Sequence, residues 1–303
     1  MQSNLCDSIT KCQNNEENDF VNSTVCGTHS AEIWHKIMGH CNNKDIFKLE
    51  KVVDGMHFSN KNVNDCDTCY QGKMFENMSR KPDQRATDPF EFVHSDLNGP
   101  INPPSKEGHK YIITFVDDYS GNIAVYFLKQ KSDTLAATKR FLADVAPWGT
   151  IKRLRSDNGS EYTSQSFKSL MIENHIRHEF SSPYSPHQNG TAERSWRTLF
   201  DVARCLILEA KLPKSWWPHA IQTAAYIRNR CYNHRLKMTA YEAITGKKPN
   251  LSKMHIFGTI CFAYVQDKGK LDPRSEEGIF LGYDMYNPAY IIYLPTSKAI
   301  KKV

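Results

Sequence analysis

The chain has 303 residues, 40% of them hydrophobic and 24% charged, enough to bury one large core or two modest ones. Lys and Arg exceed Asp and Glu by 39 − 33 = 6, a surplus that suits a polyanionic partner without naming one. No apolar run has transmembrane length, the start Met1-Gln2-Ser3-Asn4 lacks a signal-peptide core, and nine cysteines without such a signal fit a reducing compartment; a membrane-spanning chain and a disulfide-built secreted scaffold are both set aside.

Residues 1–28 are rich in Asn, Ser, Thr and acidic side chains and read as a polar, disordered stretch. Residues 29–72 read as a small module. His35 and His40 are separated by four residues, 25 residues then intervene, and Cys66 and Cys69 follow at two-residue spacing. Two imidazoles and two thiolates make a closed tetrahedral shell for structural zinc, with both spacings in the range of zinc fingers. On an unbroken helix the two histidines would point about 140° apart. Gly39 between them can take a left-handed conformation and turn His40 back. A short helix is expected over 44–51. Residues 73–89 (Lys73, Arg80, Lys81-Pro82-Asp83, Arg85, Asp88-Pro89) read as a basic, turn-rich linker.

From Phe90 the pattern changes to strands. Residues 90–96 predict a strand ending at Asp96, and residues 111–116 and 123–128 a hairpin turned by Asp117-Asp118-Tyr119-Ser120-Gly121. A helix over 133–145 capped by Ser132, a strand over 151–156 stopped at Asp157-Asn158-Gly159, a helix over 164–174 and a short strand over 176–180 follow. The order is three strands in meander, then strands alternating with helices, hence a mixed five-stranded sheet. The loop Ser182-Pro183-Tyr184-Ser185-Pro186-His187-Gln188-Asn189-Gly190 then runs into a helix over 192–210, with Thr191 as a plausible N-cap and Glu193 in the first turn.

Two strands therefore end in a carboxylate followed by a turn, Asp96 and Asp157, and a helix carries a third, Glu193. Adjacent strands would bring the two aspartates to one sheet edge, and a helix packed on the sheet would bring Glu193 beside them. Such a cluster repels itself unless cations are shared between its members, and hard oxygen ligands with open positions suit two Mg²⁺ or Mn²⁺ ions. Arg194 and Arg197 sit beside Glu193, where they read either as an intrahelical ion pair, favoured for Arg197 at i+4, or as DNA phosphate contacts. Residues 90–210 are expected to form this core, residues 211–237 a packing helix anchored by Trp216 and Trp217, and residues 238–303 a small β-rich, barrel-like module with strands at 255–258, 261–265, 277–283 and 290–294.

The phrases Ser156-Asp157-Asn158-Gly159, Pro186 through Arg194, and Tyr111 through Ser120, with 35 residues between Asp157 and Glu193, resemble the integrase core of retroviruses and, most closely, of copia-type LTR retrotransposons. The resemblance covers about residue 31 to the end. It implies an RNase H-like α/β fold, with Asp96, Asp157 and Glu193 as a metal-binding D,D(35)E triad. His35, His40, Cys66 and Cys69 fall on the HHCC zinc module that precedes the core, with Gly72-Lys73 as its usual continuation. Gln188 and Asn189 would contact the DNA end being processed. The implied activity is DNA 3′-end processing and strand transfer, on double-stranded DNA (element ends and target), by a homo-oligomer acting in the nucleus or in a cytoplasmic particle, with no membrane partner. Gly121, Ser160 and Ala240 depart from the family pattern, which commonly has Arg, Gly and Pro there. An inactive, domesticated remnant that binds DNA or protein is the alternative, and a plain RNase H-type nuclease a weaker third reading.

Overall fold

The computed structural model describes residues 27–62, 65–73, 85–181, 190–264, 271, 273–285 and 287–303. Residues 1–26, most of the 73–89 stretch and the loop with Gln188 and Asn189 lie outside the described residues.

The N-terminal segment holds β1 (Thr28–His29), α1 (Ala31–Ile37), α2 (Asn43–Leu49), β2 (His57–Phe58) and α3 (Asp67–Lys73). Ser30 caps α1 by accepting from the Ile33 amide, and Asn42 caps α2 by accepting from Lys44. Trp34, Ile37, Met38, Ile46 and Leu49 are buried from these helices.

The central sheet has five strands. β3 (Phe92–Asn98), β4 (Tyr111–Asp117) and β5 (Ile123–Leu128) form the antiparallel meander. β6 (Arg153–Ser156) adds parallel to β3 and β7 (Arg177–Phe180) parallel to β6, giving the order β5-β4-β3-β6-β7. Helices α4 (Thr134–Val145), α5 (Ser160–Thr163) and α6 (Gln165–Glu173) join the later strands, followed by α7 (Gly190–Glu209) and α8 (Trp217–Arg228). This is the mixed five-stranded sheet with helices expected from the alternation of elements.

β4 explains why the sheet is sandwiched. Its run Ile-Ile-Thr-Phe-Val-Asp shows no polar alternation and is buried throughout, as a strand covered on both faces must be. Successive side chains alternate between the two layers. Ile113 and Phe115 meet Phe141 of α4 and Phe167, Leu170 and Met171 of α6, with the Phe115 and Phe141 rings stacked 4.0 Å apart. Ile112 and Val116 meet Leu199, Ala203 and Leu206 of α7 and Trp217, Ala220, Ile221 and Ala224 of α8. Trp216 and Trp217 are 3% and 4% exposed, so the tryptophans are core anchors rather than a stacking platform for bases.

Beyond α8 come a hairpin of β8 (Tyr232–Asn233) and β9 (Met238–Thr239), α9 (Ala240–Thr245), and an antiparallel meander of β10 (Ile260–Tyr264), β11 (Ser275–Tyr283), β12 (Tyr290–Leu294) and β13 (Ala299–Lys302). The described strands form an open four-stranded sheet in chain order rather than a barrel. Residues 255–258 are not a strand: they turn before β10, and buried Phe257 plugs into the core under α7 and α8. Phe280, Tyr283, Tyr290, Ile292 and Leu294 of this sheet share one apolar core with Trp34, Ile37, Met38, Ile46 and Leu49 of the N-terminal segment.

Two further local expectations change. Asp133, not Ser132, organises the start of α4, accepting from the Lys129 and Gln130 amides. α7 begins at Gly190, which puts Thr191 inside its first turn instead of at the cap.

The N-terminal segment is also bolted to α7. Lys36 pairs with Glu209 at 3.2 Å, Thr68 donates to Glu209 at 3.3 Å, and Arg204 donates to the Gly72 carbonyl. Gly72 lies so close that a Cβ there would sit 2.5 Å from the Cys205 sulfur. Replacing Gly72 with Val is therefore expected to lower stability by about 1–3 kcal/mol, the usual cost of overpacking, read as a reduced midpoint in thermal unfolding. An unchanged midpoint would mean that this contact is not close-packed in solution.

Candidate active site and metal centre

The strand register places the two aspartates. Phe92, Val93 and His94 of β3 pair with Arg153, Leu154 and Arg155 of β6, a constant offset of 61 residues. Carried two residues further, the same offset sets Asp96 level with Asp157. In a parallel pair, partners share a face. Asp96 also pairs with Thr114 of β4, on the face that carries Ile112 and Val116 and therefore looks toward α7 and α8. α7 presents Leu199, Ala203 and Leu206 to that face, a stripe at helical spacing, and Ala192 in its first turn is also buried. Glu193, next to Ala192, stands at the end of α7 nearest the aspartates.

Electrostatics report the proximity directly. Burial, then the Asp157 carboxylate, then that of Glu193, push Asp96 up to about 7, against the indole N–H of Trp196 and the Leu97 amide. That indole N–H is buried and makes no hydrogen bond among the described residues, so it stands near the Asp96 carboxylate without being bonded to it. Burial also raises Asp157, opposed by the Gly159 amide at 3.2 Å. Asp157 and Glu193 thus lie within electrostatic reach of Asp96, while among the described residues only the His and Cys cluster below brings three or more ligand atoms within reach of one ion; Trp196, one turn after Glu193, is a neighbour that the sequence reading missed. Its only signal was an aromatic with a polar edge three residues along the same helix.

A pH dependence follows. Below the ordinary carboxyl value of 3.8 Asp96 is protonated in folded and unfolded chains alike. Between 3.8 and about 7 the unfolded chain releases that proton while the folded chain keeps it, so stability falls as pH rises through this window and levels off above it. In the absence of divalent cations, Asp96→Asn should raise the thermal midpoint at pH 8 by on the order of 5 °C and leave it unchanged at pH 4. A variant less stable than wild type at pH 8 would contradict the crowding of these carboxylates.

The flanking arginines divide. Arg194 and Arg197 are exposed, and among the described residues no ion pair joins Arg197 to Glu193. Arg153 and Arg155 instead pair inward with Glu179, at 3.8 and 3.0 Å, and lie over the Phe92 ring. Gln188 and Asn189 lie outside the described residues.

The Asp117-Asp118 pair is structural. Asp117 accepts from the Phe90 and Ser120 amides and the Ser120 hydroxyl. Burial would raise Asp118, but His94, the Ala86 amide and Arg85 donate to it and hold it at about 2. Gly121 closes the turn at φ 74°, a left-handed angle that suits glycine better than the arginine of the family pattern.

The second centre is the cluster of His35, His40, Cys66 and Cys69, whose ligand atoms all lie within 4.8 Å of one another. Gly39 (φ 62°) and His40 (φ 59°) both turn left-handed after α1, and the His40 amide returns to the His35 carbonyl at 2.7 Å, which folds His40 back as its glycine neighbour suggested. Cys66 Sγ is 3.3 Å from His40 Nδ1 and Cys69 Sγ 3.2 Å from His35 Nε2. A tetrahedral zinc with Zn–S about 2.3 Å and Zn–N about 2.0 Å spaces its ligands about 3.5 Å apart, so the donors fit such an ion. His35 Nδ1–H donates to the Cys41 carbonyl at 2.9 Å, leaving Nε2 free to ligate, and Lys73 donates to the His40 carbonyl. Burial, followed by His35 and Lys73, lowers His40 to about 3, so the imidazole is neutral.

Comparison with known proteins bears on this arrangement. Residues 86–186 match the integrase core domain and residues 259–302 the retroviral polymerase SH3-like domain. The chain thus contains a stretch that matches an integrase core. It is 36% identical over 276 residues to the retrovirus-related Pol polyprotein from transposon TNT 1-94 of Nicotiana tabacum, covering 89% of this chain and 21% of that protein. To the corresponding polyprotein from transposon RE2 of Arabidopsis thaliana it is 28% identical over 292 residues, 92% of this chain and 19% of that one. The chain spans about a fifth of the length of these relatives. Among solved structures, the HTLV-2 integrase catalytic core domain in complex with magnesium is similar at 20% identity, TM-score 0.43, over 53% of this chain and 99% of that one. Among the described residues no helix is long and apolar enough to cross a membrane.

Proposed function

We propose that the chain is a retrotransposon integrase that trims DNA 3′ ends and joins them to a target duplex, with residues 90–210 as its catalytic core. The observation that carries this reading is the electrostatic influence of Asp157 and Glu193 on Asp96, with Asp157 following a neighbouring parallel strand and Glu193 on a packed helix. Two Mg²⁺ or Mn²⁺ ions held by these acids would polarise the attacking and leaving oxygens of a phosphodiester. Asp96 and Asp157 would present their oxygens from the sheet, and Glu193 would close the cluster from α7. In end trimming, water attacks the phosphorus and the bond to the 3′-oxygen of the retained strand breaks; the water's proton passes to solvent, the released terminal piece carries the phosphate, and the retained strand takes up a proton as its 3′-hydroxyl. In joining, the exposed 3′-hydroxyl attacks a target phosphorus; a new P–O bond forms, the bond to the target strand's 3′-oxygen breaks, and the hydroxyl proton passes to solvent. No covalent protein intermediate is needed.

Arg194 and Arg197, exposed beside Glu193, suit contacts to DNA phosphates, and Gln188 and Asn189 precede them on the chain. The His35, His40, Cys66 and Cys69 cluster would hold one structural zinc. Double-stranded DNA, as element ends and target, and further copies of the chain are the expected partners, in the nucleus or in a cytoplasmic particle.

The test is joining of a labelled duplex with free 3′-hydroxyl ends to a supercoiled plasmid, with Mg²⁺ or Mn²⁺. Metal-dependent joined product is expected. Salt-sensitive DNA binding without product would favour the inactive, binding-only remnant.

A further inference from the structure

Some distance from the carboxylates lies a cleft of about 370 Å³, walled by α2, the turn after β4, the end of α8 and the β8–β9 hairpin. Asp117 at its floor pairs with Val93, three residues along β3 from Asp96, or about 10 Å. Three guanidinium groups, from Arg85, Arg228 and Arg235, line it together with Asp45, Asp117 and Asp118.

The acids and the cations of this cleft are not equally available. Asp118 is saturated by Arg85 (2.8 Å), the Ala86 amide (2.8 Å) and His94 (3.0 Å), and Asp117 by Phe90 and Ser120; both are buried. Asp45 takes His234 at 2.6 Å and Lys48 at 3.7 Å. The arginines, by contrast, keep donors unspent. Arg228 is exposed and has no acidic partner among the described residues. Arg235, also exposed, donates to the Asp118 carbonyl at 3.2 Å and lies 5.8 Å from the Tyr119 ring, without a carboxylate. Arg85 uses one arm on Asp118 and stays 40% exposed. Negative charge is thus neutralised inward while surplus guanidinium faces the opening. Planar forks of this kind match a tetrahedral oxyanion bidentately.

We propose that this cleft binds backbone phosphate of duplex DNA, as an anchoring site apart from the metal-binding acids. The proposal rests on the reading of the chain as a DNA-joining enzyme. The occupant is backbone rather than base, because the Tyr232 ring in the lining is already engaged edge-on by His234 and from above by Lys48, and apart from Gly121 the remaining lining groups are charged or polar side chains.

The experiment uses the zinc-loaded full chain without added Mg²⁺ and a 30-base-pair labelled duplex, titrated by fluorescence anisotropy across a range of NaCl concentrations. Each phosphate contact contributes about 0.9 to the slope of log K against log salt. The double variant Arg228→Gln, Arg235→Gln should bind more weakly and with a slope shallower by about 1 to 2. The charge-matched control Lys139→Gln, Arg140→Gln, on exposed positions of α4, should keep the wild-type slope. Unchanged thermal midpoints for both variants show that folding is preserved. If the Arg228 and Arg235 variant keeps wild-type affinity and slope, or if the α4 variant loses as much, the cleft is not the site. A wild-type chain that does not bind the duplex at all would overturn the reading of the whole chain, not this cleft alone.

Discussion

Replacing Asp157 with Asn is expected to lower metal-dependent joining by roughly three orders of magnitude or more while leaving the fold intact. The substitution keeps shape and removes one negative charge from a site whose proposed work is to hold cations. Loss of a group that merely orients a metal ligand costs about 10–100-fold, and loss of a ligand shared between two ions should exceed that. The side chain sits at a strand end, partly exposed, and its one described hydrogen bond comes from Gly159, so the variant has little reason to unfold. The check is the plasmid-joining assay with an unfolding curve run in parallel. Joining at the wild-type rate in a folded variant would remove Asp157 from the chemistry.

The second large effect concerns the His and Cys cluster. Purified chain should carry about one zinc, and Cys66→Ser or a strong chelator should release it and lower the thermal midpoint by several degrees or more. Metal binding in such clusters is folding free energy, on the order of 10 kcal/mol or more in isolated zinc-finger peptides. Here the cluster is not isolated. Trp34, Ile37 and Met38, on the same short helix as His35, share a core with Phe280, Tyr290 and Ile292 of the C-terminal sheet, and Glu209 of α7 holds Lys36 and Thr68. Loss of zinc should therefore loosen α7 and the C-terminal sheet as well. Metal analysis and hydrogen exchange across α7 would show it; metal-free protein with an unaltered midpoint and exchange pattern would contradict it.

What the sequence revealed and what it hid follow from the range of the interactions involved. The His and Cys cluster was legible because its spacing is local and the residue types are few. Asp157 was legible because it follows a strand and opens a turn; Asp96 was legible as a carboxylate on a strand, but that strand continues past it to Asn98, and the constant register between β3 and β6 then sets the two level. The bland reading of Trp216 and Trp217 as packing anchors also holds, since apolar spacing on a helix is a packing signal. Residues 255–258 were read as a strand from an apolar run too short to separate a strand from a core plug. Arg153 and Arg155 gave no sign of their commitment to Glu179, which lies more than twenty residues away on the next strand. The common core of the first and last segments joins residues over two hundred positions apart, a contact that no local pattern encodes. Asp117 and Asp118 were rightly assigned to a turn, but their burial and their bonds to Phe90, Ala86 and His94 required the fold.

The central claim is that Asp96, Asp157 and Glu193 hold divalent cations between them. Crystals of the chain grown with Mn²⁺ and measured at a wavelength where manganese scatters anomalously test it most directly. The account predicts an anomalous peak about 2.1 Å from carboxylate oxygens of Asp96 and Asp157, with Glu193 turned toward it. A well-ordered site with no peak among the three acids, at Mn²⁺ concentrations that support joining in solution, would contradict it.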